Sequence, residues 1–200
     1  MKILLIGGTG TIGKCLAERL GSQHQVIIAA KNSGDLQFDL SDSQSIESLY
    51  AQTGPLDAMI CIAGEAKWGP FENLSEADFQ IGIQNKLMGQ INLVRLGLSV
   101  LKAQGSFTLT SGILADHPVL HTTTAAMVNG ALHSFVKAAA LELDQDRRIN
   151  CVSLSLVEES QARYQHYFPG YDVIPMSKAA NAYLRSVLGK GSGEIIRVYS

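Results

Sequence analysis

The sequence has little of what marks a secreted, membrane or nucleic-acid-binding protein. Its three cysteines, Cys15, Cys61 and Cys151, are widely spaced and form no Cys-x-x-Cys pair. This spacing favours reduced thiols in a cytoplasmic protein over a disulfide framework, and it predicts no metal site. A net charge of −2 gives no electrostatic basis for binding nucleic acid or an anionic membrane. No apolar run approaches the roughly 18 residues of a membrane helix, and the N-terminal run breaks at Gly7, which is too early for a signal peptide.

What is present is a regular alternation of strand and helix patterns. With 200 residues, 46% of them apolar, the chain is expected to form one domain, residues 1–200, around a single core. Apolar runs predict strands at 1–6, 25–30, 36–40, 57–62, 106–110, 149–154 and 194–199. Capping signals and periodicity predict helices from 14, at 42–52, from 75, and at 84–103, 123–143 and 177–188. The alternation predicts an α/β fold, a Rossmann-type doubly wound parallel sheet with helices on both faces.

A glycine-rich turn joins the first strand to the first helix. Glycines in this context allow a tight turn, close approach of the backbone to a pyrophosphate, and packing of helix against strand. The free N–H groups at the start of the helix then favour phosphate. The turn therefore predicts a dinucleotide site, the alternative being a βα turn that binds nothing. Its candidate binding residues are Gly7, Thr9, Gly10, Thr11, Ile12 and Gly13.

The order of these features resembles the short-chain dehydrogenase/reductase family over essentially the whole chain. Phe38-Asp39-Leu40-Ser41-Asp42 is similar to the family's adenine-contacting segment, which implies roles for Asp39 and Leu40. Cys61-Ile62-Ala63-Gly64 stands where the family has Asn-Asn-Ala-Gly, and Ala63 and Gly64 keep backbone room beside the cofactor. Thr110-Ser111-Gly112 matches the strand end that carries the family's catalytic serine. The resemblance implies a nicotinamide cofactor and an oxidoreductase.

The choice of cofactor follows from the charge after the second strand. NAD-type sites place an acid there to bind the ribose 2′-hydroxyl, whereas this chain has Lys31, Asn32 and Ser33. These three residues suit a 2′-phosphate, so we expect NADP in preference to NAD. The alternative is a polar loop with a solvated Lys31, whose charge the nearby Asp35 would partly offset.

The Tyr-x-x-x-Lys pair of the family's reductases is missing. The resemblance places Ala125 at the tyrosine position and Asn129 at the lysine position, and no tyrosine of the chain has a lysine four residues later. Asn129 keeps the capacity to hydrogen-bond a ribose hydroxyl. The usual proton donor, and the charge that lowers its pKa, are therefore absent.

Two residues are candidates for the catalytic chemistry. Lys86 stands where the family has an active-site asparagine, three residues before Gly89, and we expect it to supply the positive charge of the site. The alternative is a surface lysine whose stem lies along an amphipathic helix. Ser111 is expected to orient a substrate oxygen, the alternative being a turn at the end of the strand.

The least regular stretch, residues 158–175, is expected to form a lid over the carboxyl ends of the strands. Its tyrosines, Tyr164, Tyr167 and Tyr171, are expected to pack on the site rather than act in catalysis. Trp68 and Phe71 are expected to line the same pocket or to pack in the core. His117 and His121 follow the serine strand and are not expected to be catalytic.

Two functions remain open from the sequence. One is a cytoplasmic NADP-dependent oxidoreductase acting on a small carbonyl or alcohol. The other is a non-catalytic NADP-binding sensor or regulatory protein on the same fold. The helices at 84–103 and 123–143 are apolar on more than one face, and the resemblance implies that they form the contact of a homodimer or homotetramer.

Overall fold

A seven-stranded parallel sheet organises the fold. The computed structural model describes all residues, Met1–Ser200. Its strands are β1 Lys2–Ile6, β2 Gln25–Ala30, β3 Leu36–Gln37, β4 Leu56–Cys61, β5 Leu101–Gly112, β6 Arg148–Leu154 and β7 Ile195–Val198. They are ordered β3-β2-β1-β4-β5-β6-β7, so the chain reverses its direction of travel between β1 and β4. This topology confirms the predicted doubly wound α/β fold, and its switch point is where ligands bind in open α/β sheets.

Helices cover both faces of the sheet. They are α1 Thr11–Gly21, α2 Ser43–Thr53, α3 Glu76–Gly82, α4 Gly89–Gly97, α5 Thr123–Glu142, the short α6 Gln161–Tyr164 and α7 Met176–Leu188. One apolar cluster lies on the face covered by α2, α4 and α5, and the other lies on the face covered by α1 and α7. None of the helices is both long and apolar enough to span a bilayer.

The capping signals act as the sequence predicts. The Asp42 carboxylate accepts from the Gln44 backbone N–H at the start of α2. Ser75 and Asp78 form a reciprocal capping box at the start of α3. Each satisfies backbone donors that the first turn of a helix leaves without a partner.

The helix predicted over 84–103 is wrong in two respects. Its first part, Ile83–Met88, is a π-helical turn that joins α3 to α4 without a break. The helix then ends at Gly97, where a Cβ would lie within 3 Å of the Tyr50 hydroxyl and the Phe107 ring. Val100 already accepts a hydrogen bond from the Leu56 backbone N–H, and β5 begins at Leu101. Tertiary packing and strand pairing therefore override the helical periodicity.

Candidate active site

The glycine turn after β1 is closed so tightly that only glycine fits at its ends. Gly7 has a left-handed φ of +81°, and a Cβ on Gly13 would overlap the Gly7 carbonyl and the Gly8 backbone. Gly10 caps α1 without a side chain, and no acidic residue follows in the first turn. The N–H groups at the start of the helix are therefore left with a positive dipole and no competing carboxylate.

A cavity of about 260 Å³ lies beside this turn, at the carboxyl ends of β1, β2 and β4. Six of the predicted cofactor residues line it, namely Gly7, Lys31, Asp39, Leu40, Ala63 and Gly64. The other predicted residues of this region, Thr9, Gly10, Thr11, Gly13, Asn32 and Ser33, lie outside its lining. Asn85 spans the edge of the cavity, because its amide accepts from the Glu65 N–H and donates to the Ser41 hydroxyl, both at 2.9 Å.

The charges around Lys31 are arranged differently from the sequence-based expectation. Asp35 does not offset Lys31, because its carboxylate accepts from the Ile28 backbone N–H instead. Asp39 offsets the charge of Lys31, with 2.9 Å between Lys31 Nζ and Asp39 Oδ2. The hydrogen bond from Lys31, together with one from the Ser41 N–H, lowers the pKa of Asp39. Lys31 thus reaches the cavity as one half of an exposed ion pair.

A larger cavity of about 680 Å³ lies further along the same edge of the sheet. Gly64 and Glu65 line both cavities, so the two spaces adjoin at the loop after β4. Ile12, Lys86 and Asn129 line the larger cavity, and so does Ala125, at the position where the resemblance expects tyrosine. Two of its polar atoms, Asn129 Oδ1 and Ser155 Oγ, are buried without a hydrogen-bond partner. Such atoms usually have a partner in the functional state of a protein.

Lys86 lies at the wall of this larger cavity, on the π-helical turn. Its side chain packs over Gly64, and its ammonium has neither a carboxylate nor a hydrogen-bond partner among the residues of the chain. Burial lowers the pKa of Lys86. The neighbouring thiols stay neutral, since burial raises the pKa of Cys61 to about 12 and that of Cys151 to about 11. The lysine is thus largely buried beside a cavity without a counter-ion, which differs from the solvated surface lysine of the alternative interpretation.

Ser111 lies outside the lining of the larger cavity. It is 4% exposed, and 2.7 Å separates its Oγ from His133 Nε2. Cys151 Sγ also donates to this hydroxyl, at 3.3 Å. The serine is therefore part of a small polar cluster between β5, β6 and α5, and the cavity wall begins at the next residue, Gly112.

The predicted lid covers the larger cavity with aromatic side chains. Tyr164 and Tyr167 line it, and the Trp68 ring lies edge-on to that of Tyr167 at 5.1 Å between centroids. Tyr171 does not line the cavity but packs on Phe168, which does. Both interpretations of Phe71 are wrong, because the turn after Pro70 leaves its side chain 67% exposed. His117 and His121 are exposed and line neither cavity.

Sequence reasoning missed several residues of the site. His133 follows Asn129 by four residues on α5, so the helical period alone puts both on the face toward the sheet. Arg163 directly precedes the aromatic residues of the lid, and the one signal for it in the sequence is that it is the sole arginine of residues 158–175. Ser155 and Asn85 carry no signal in the sequence that separates them from ordinary polar residues.

The comparisons with known proteins agree with this architecture. A family described as Enoyl-(Acyl carrier protein) reductase matches residues 13–187. The chain belongs to the short-chain dehydrogenase/reductase family of oxidoreductases.

Solved structures extend the likeness to the whole chain. The protein lin1944 from Listeria innocua is 42% identical, with full coverage of both chains and a TM-score of 0.98. A small-chain dehydrogenase solved in complex with NADPH is 28% identical, with 99% of this chain and 96% of that chain covered and a TM-score of 0.89. Among curated proteins, the uncharacterized oxidoreductase YmfI of Bacillus subtilis is 25% identical over 179 residues, which are 78% of this chain and 74% of that protein.

Proposed function

We propose that the protein is an NADP-dependent oxidoreductase acting on a small carbonyl or alcohol. The observation that carries this proposal is the pair of adjoining cavities along the carboxyl edge of the sheet. One lies beside the glycine turn and Lys31, and the other contains the unpaired Lys86. Two adjoining cavities of this kind favour a nucleotide beside the glycine turn and a small substrate beside Lys86.

The residues of the smaller cavity suit an NADP nucleotide. The turn from Gly7 to Gly13 and the start of α1 would hold its phosphates, Asp39 and Leu40 its adenine, and Lys31 its 2′-phosphate. In the adjoining larger cavity, Asn129, whose Oδ1 is buried without a partner, would accept from a ribose hydroxyl. The NADPH bound by the solved relative supports this assignment. When bound, the nicotinamide supplies or accepts a hydride.

Lys86 is the group that we assign to the substrate oxygen. An ammonium without a counter-ion in a largely buried wall stabilises negative charge on a carbonyl oxygen more strongly than it would in water. Because its pKa is lowered by burial, it also suits proton transfer to that oxygen. The Ser111 hydroxyl is held by His133 and would orient the substrate oxygen indirectly, because it fixes the end of β5 that forms the cavity wall at Gly112.

A non-catalytic nucleotide-binding protein is the second candidate. The observation in its favour is Ala125, which is 4% exposed and lines the cavity without a phenol. None of the three tyrosines of the lid has a lysine four residues later to replace the missing pair. Nucleotide binding without turnover of any carbonyl would support this function.

We also propose that two copies associate through α4 and α5. Apolar side chains stand exposed on or next to these helices, with Met127 at 41% and Leu141 at 88%. Static light scattering tests the proposal, since a dimer has twice the chain mass of 21.5 kDa. A single-chain mass at micromolar concentration contradicts it.

The first experiment is a calorimetric titration of nucleotide-free protein with NADPH and with NADH. Tighter binding of NADPH is expected, and absence of binding by folded protein would contradict the proposal. Carbonyl reduction is then compared for the wild type, Lys86→Met and Lys190→Met, the last removing an exposed lysine remote from both cavities. We expect Lys86→Met to lose about 100-fold or more in kcat while it still binds NADPH. Wild-type activity in this variant would exclude the role of Lys86.

A further inference from the structure

The charges around the larger cavity are unbalanced. Three of its lining residues are cations, Lys67, Lys86 and Arg163, whereas Glu65 is its one carboxylate. None of the three cations forms a salt bridge within the chain. This excess stands out because the chain as a whole carries a net charge of −2. A cavity lined by one sign of charge concentrates ligands of the opposite sign.

The cations are divided between the two ends of the cavity. Lys86, on the π-helical turn, and Asn129, on α5, lie inside, whereas Lys67 and Arg163 are exposed and lie at the mouth. Glu65 adjoins the smaller cavity as well, so the one acid lies on the side assigned to the nucleotide. A ligand that reaches from Lys86 to the mouth therefore meets positive charge at both ends.

Arg163 is held in a position that leaves its donors available. Its guanidinium carbon lies 5.0 Å from the centroid of the Tyr164 ring, which fixes it by a cation–π contact. No acceptor of the chain takes a hydrogen bond from it. A planar guanidinium with its N–H groups unpaired matches a carboxylate, which accepts two of them side by side.

The wall between the two ends is aromatic. The Trp68 ring centroid lies 5.7 Å from that of Tyr164 and 6.5 Å from that of Phe168. These rings favour a flat apolar body, because aromatic side chains supply contact area at a small cost in conformational entropy.

We propose that the substrate of the larger cavity is a carbonyl or alcohol compound with a flat apolar body and a carboxylate at its far end. The carboxylate pairs with Arg163 and Lys67 at the mouth, the body lies against Trp68, and the reacting oxygen meets Lys86. The inference rests on the proposed oxidoreductase function for the reacting end only. The recognition of the anion is a binding property that is measured separately.

Trp68 makes the test direct, because it is the one tryptophan of the chain and it lines the cavity. Its fluorescence is followed while 4-methylbenzoate, its neutral methyl ester and 4-methylphenyl phosphate are each added. None of these probes is an aldehyde, a ketone or an alcohol, so binding is measured without turnover. The titrations are run with and without saturating NADP⁺.

We expect the carboxylate to bind about tenfold more tightly than the ester, with a difference that shrinks as salt is added. Arg163→Gln should bring the carboxylate close to the ester, whereas Arg19→Gln, an exposed arginine on α1, should change nothing. Equal binding of acid and ester, binding of neither, or tighter binding of the phosphate than of the carboxylate would overturn the proposal. An unchanged carboxylate affinity in Arg163→Gln would overturn it as well.

The outcome is distinguishable from failure of the oxidoreductase function. If NADPH binds but the carboxylate shows no preference, the oxidoreductase proposal stands and the anionic substrate falls. If the carboxylate binds with the expected dependence on Arg163 and no nucleotide binds, the anionic ligand stands and the oxidoreductase proposal falls. Reduction of 4-formylbenzoate with a higher kcat/KM than that of its methyl ester would support both.

Discussion

Ser111 Oγ and His133 Nε2 are 2.7 Å apart in a part of the core that solvent barely reaches, the two residues being 4% and 6% exposed. The serine that the family resemblance marks as catalytic is thereby engaged by a histidine on α5. The bond ties the end of β5 to the helix that carries Asn129. It makes Ser111 a structural connection as well as a neighbour of the cavity.

Ser111→Ala is expected to lower the free energy of unfolding by about 1–3 kcal/mol, because His133 Nε2 loses its partner in a buried place. Chemical denaturation measures the loss. Ser134→Ala, an exposed serine one residue from His133, should change stability by less than about 0.5 kcal/mol. If both variants are equally stable, the bond contributes nothing to the fold.

His133 also predicts how stability depends on pH. Burial lowers the pKa of His133 from its ordinary 6.5, with Asp116 opposing the shift and Arg197 and Lys137 adding to it. The unfolded chain then binds more protons than the folded one below about pH 6.5, so stability should fall as the pH drops through that value.

Urea unfolding between about pH 7.5 and 5.5 measures this slope. His133→Gln, whose amide can still pair with Ser111, should flatten it. His121→Asn replaces an exposed histidine at φ +69° by a residue that tolerates this conformation, and it should leave the slope unchanged. A slope that is the same in all three proteins would contradict the assignment to His133.

The ion pair between Lys31 and Asp39 is expected to weaken the preference for NADPH. The 2′-phosphate must compete with the Asp39 carboxylate for Lys31. Asp39→Asn keeps an acceptor for the Ser41 N–H but removes the charge, so the Kd for NADPH should fall by up to about fivefold.

The Kd for NADH serves as the internal reference, because NADH lacks the 2′-phosphate. Lys31→Gln should weaken NADPH binding alone, and Asp172→Asn, an exposed acid outside both cavities, should affect neither nucleotide. Calorimetry with the two nucleotides decides. A parallel change in both constants would place the effect of Asp39 on the adenine rather than on Lys31.

Gly13→Ala is expected to damage the nucleotide site and to destabilise the fold by about 1–3 kcal/mol, because its Cβ would overlap the backbone of Gly7 and Gly8. Gly21→Ala, at the other end of α1, is the matched control, since nothing lies within 4 Å of the added Cβ. The control should keep nucleotide binding and be as stable as the wild type or more so. Normal nucleotide affinity in Gly13→Ala would show that the turn does not hold the phosphates.

The parts of the fold that the sequence predicts are those governed by local physics. The glycine turn, the Asp42 and Ser75 caps and the apolar strands each follow from a few adjacent residues. The end of α4 does not, because it depends on the close approach of Tyr50 and Phe107 to Gly97 and on the pairing of Val100 with Leu56, all from distant parts of the chain. The candidate site divides in a similar way, since the family resemblance points to Lys86 whereas the position of Arg163 at the larger cavity depends on the folded lid.

The π-helical turn at Ile83–Met88 has a consequence for the orientation of Lys86. Such a turn holds one residue more than an α-helical turn, which offsets the side chains before it by about 100° from a continuous helix. On either side of this turn, α3 packs on α5 whereas α4 packs on α2. Deleting one residue between Ile83 and Lys86 would restore an unbroken helix and swing the lysine away from the cavity. The one extra residue of this turn therefore sets the direction of Lys86, and with it the charge of the cavity wall.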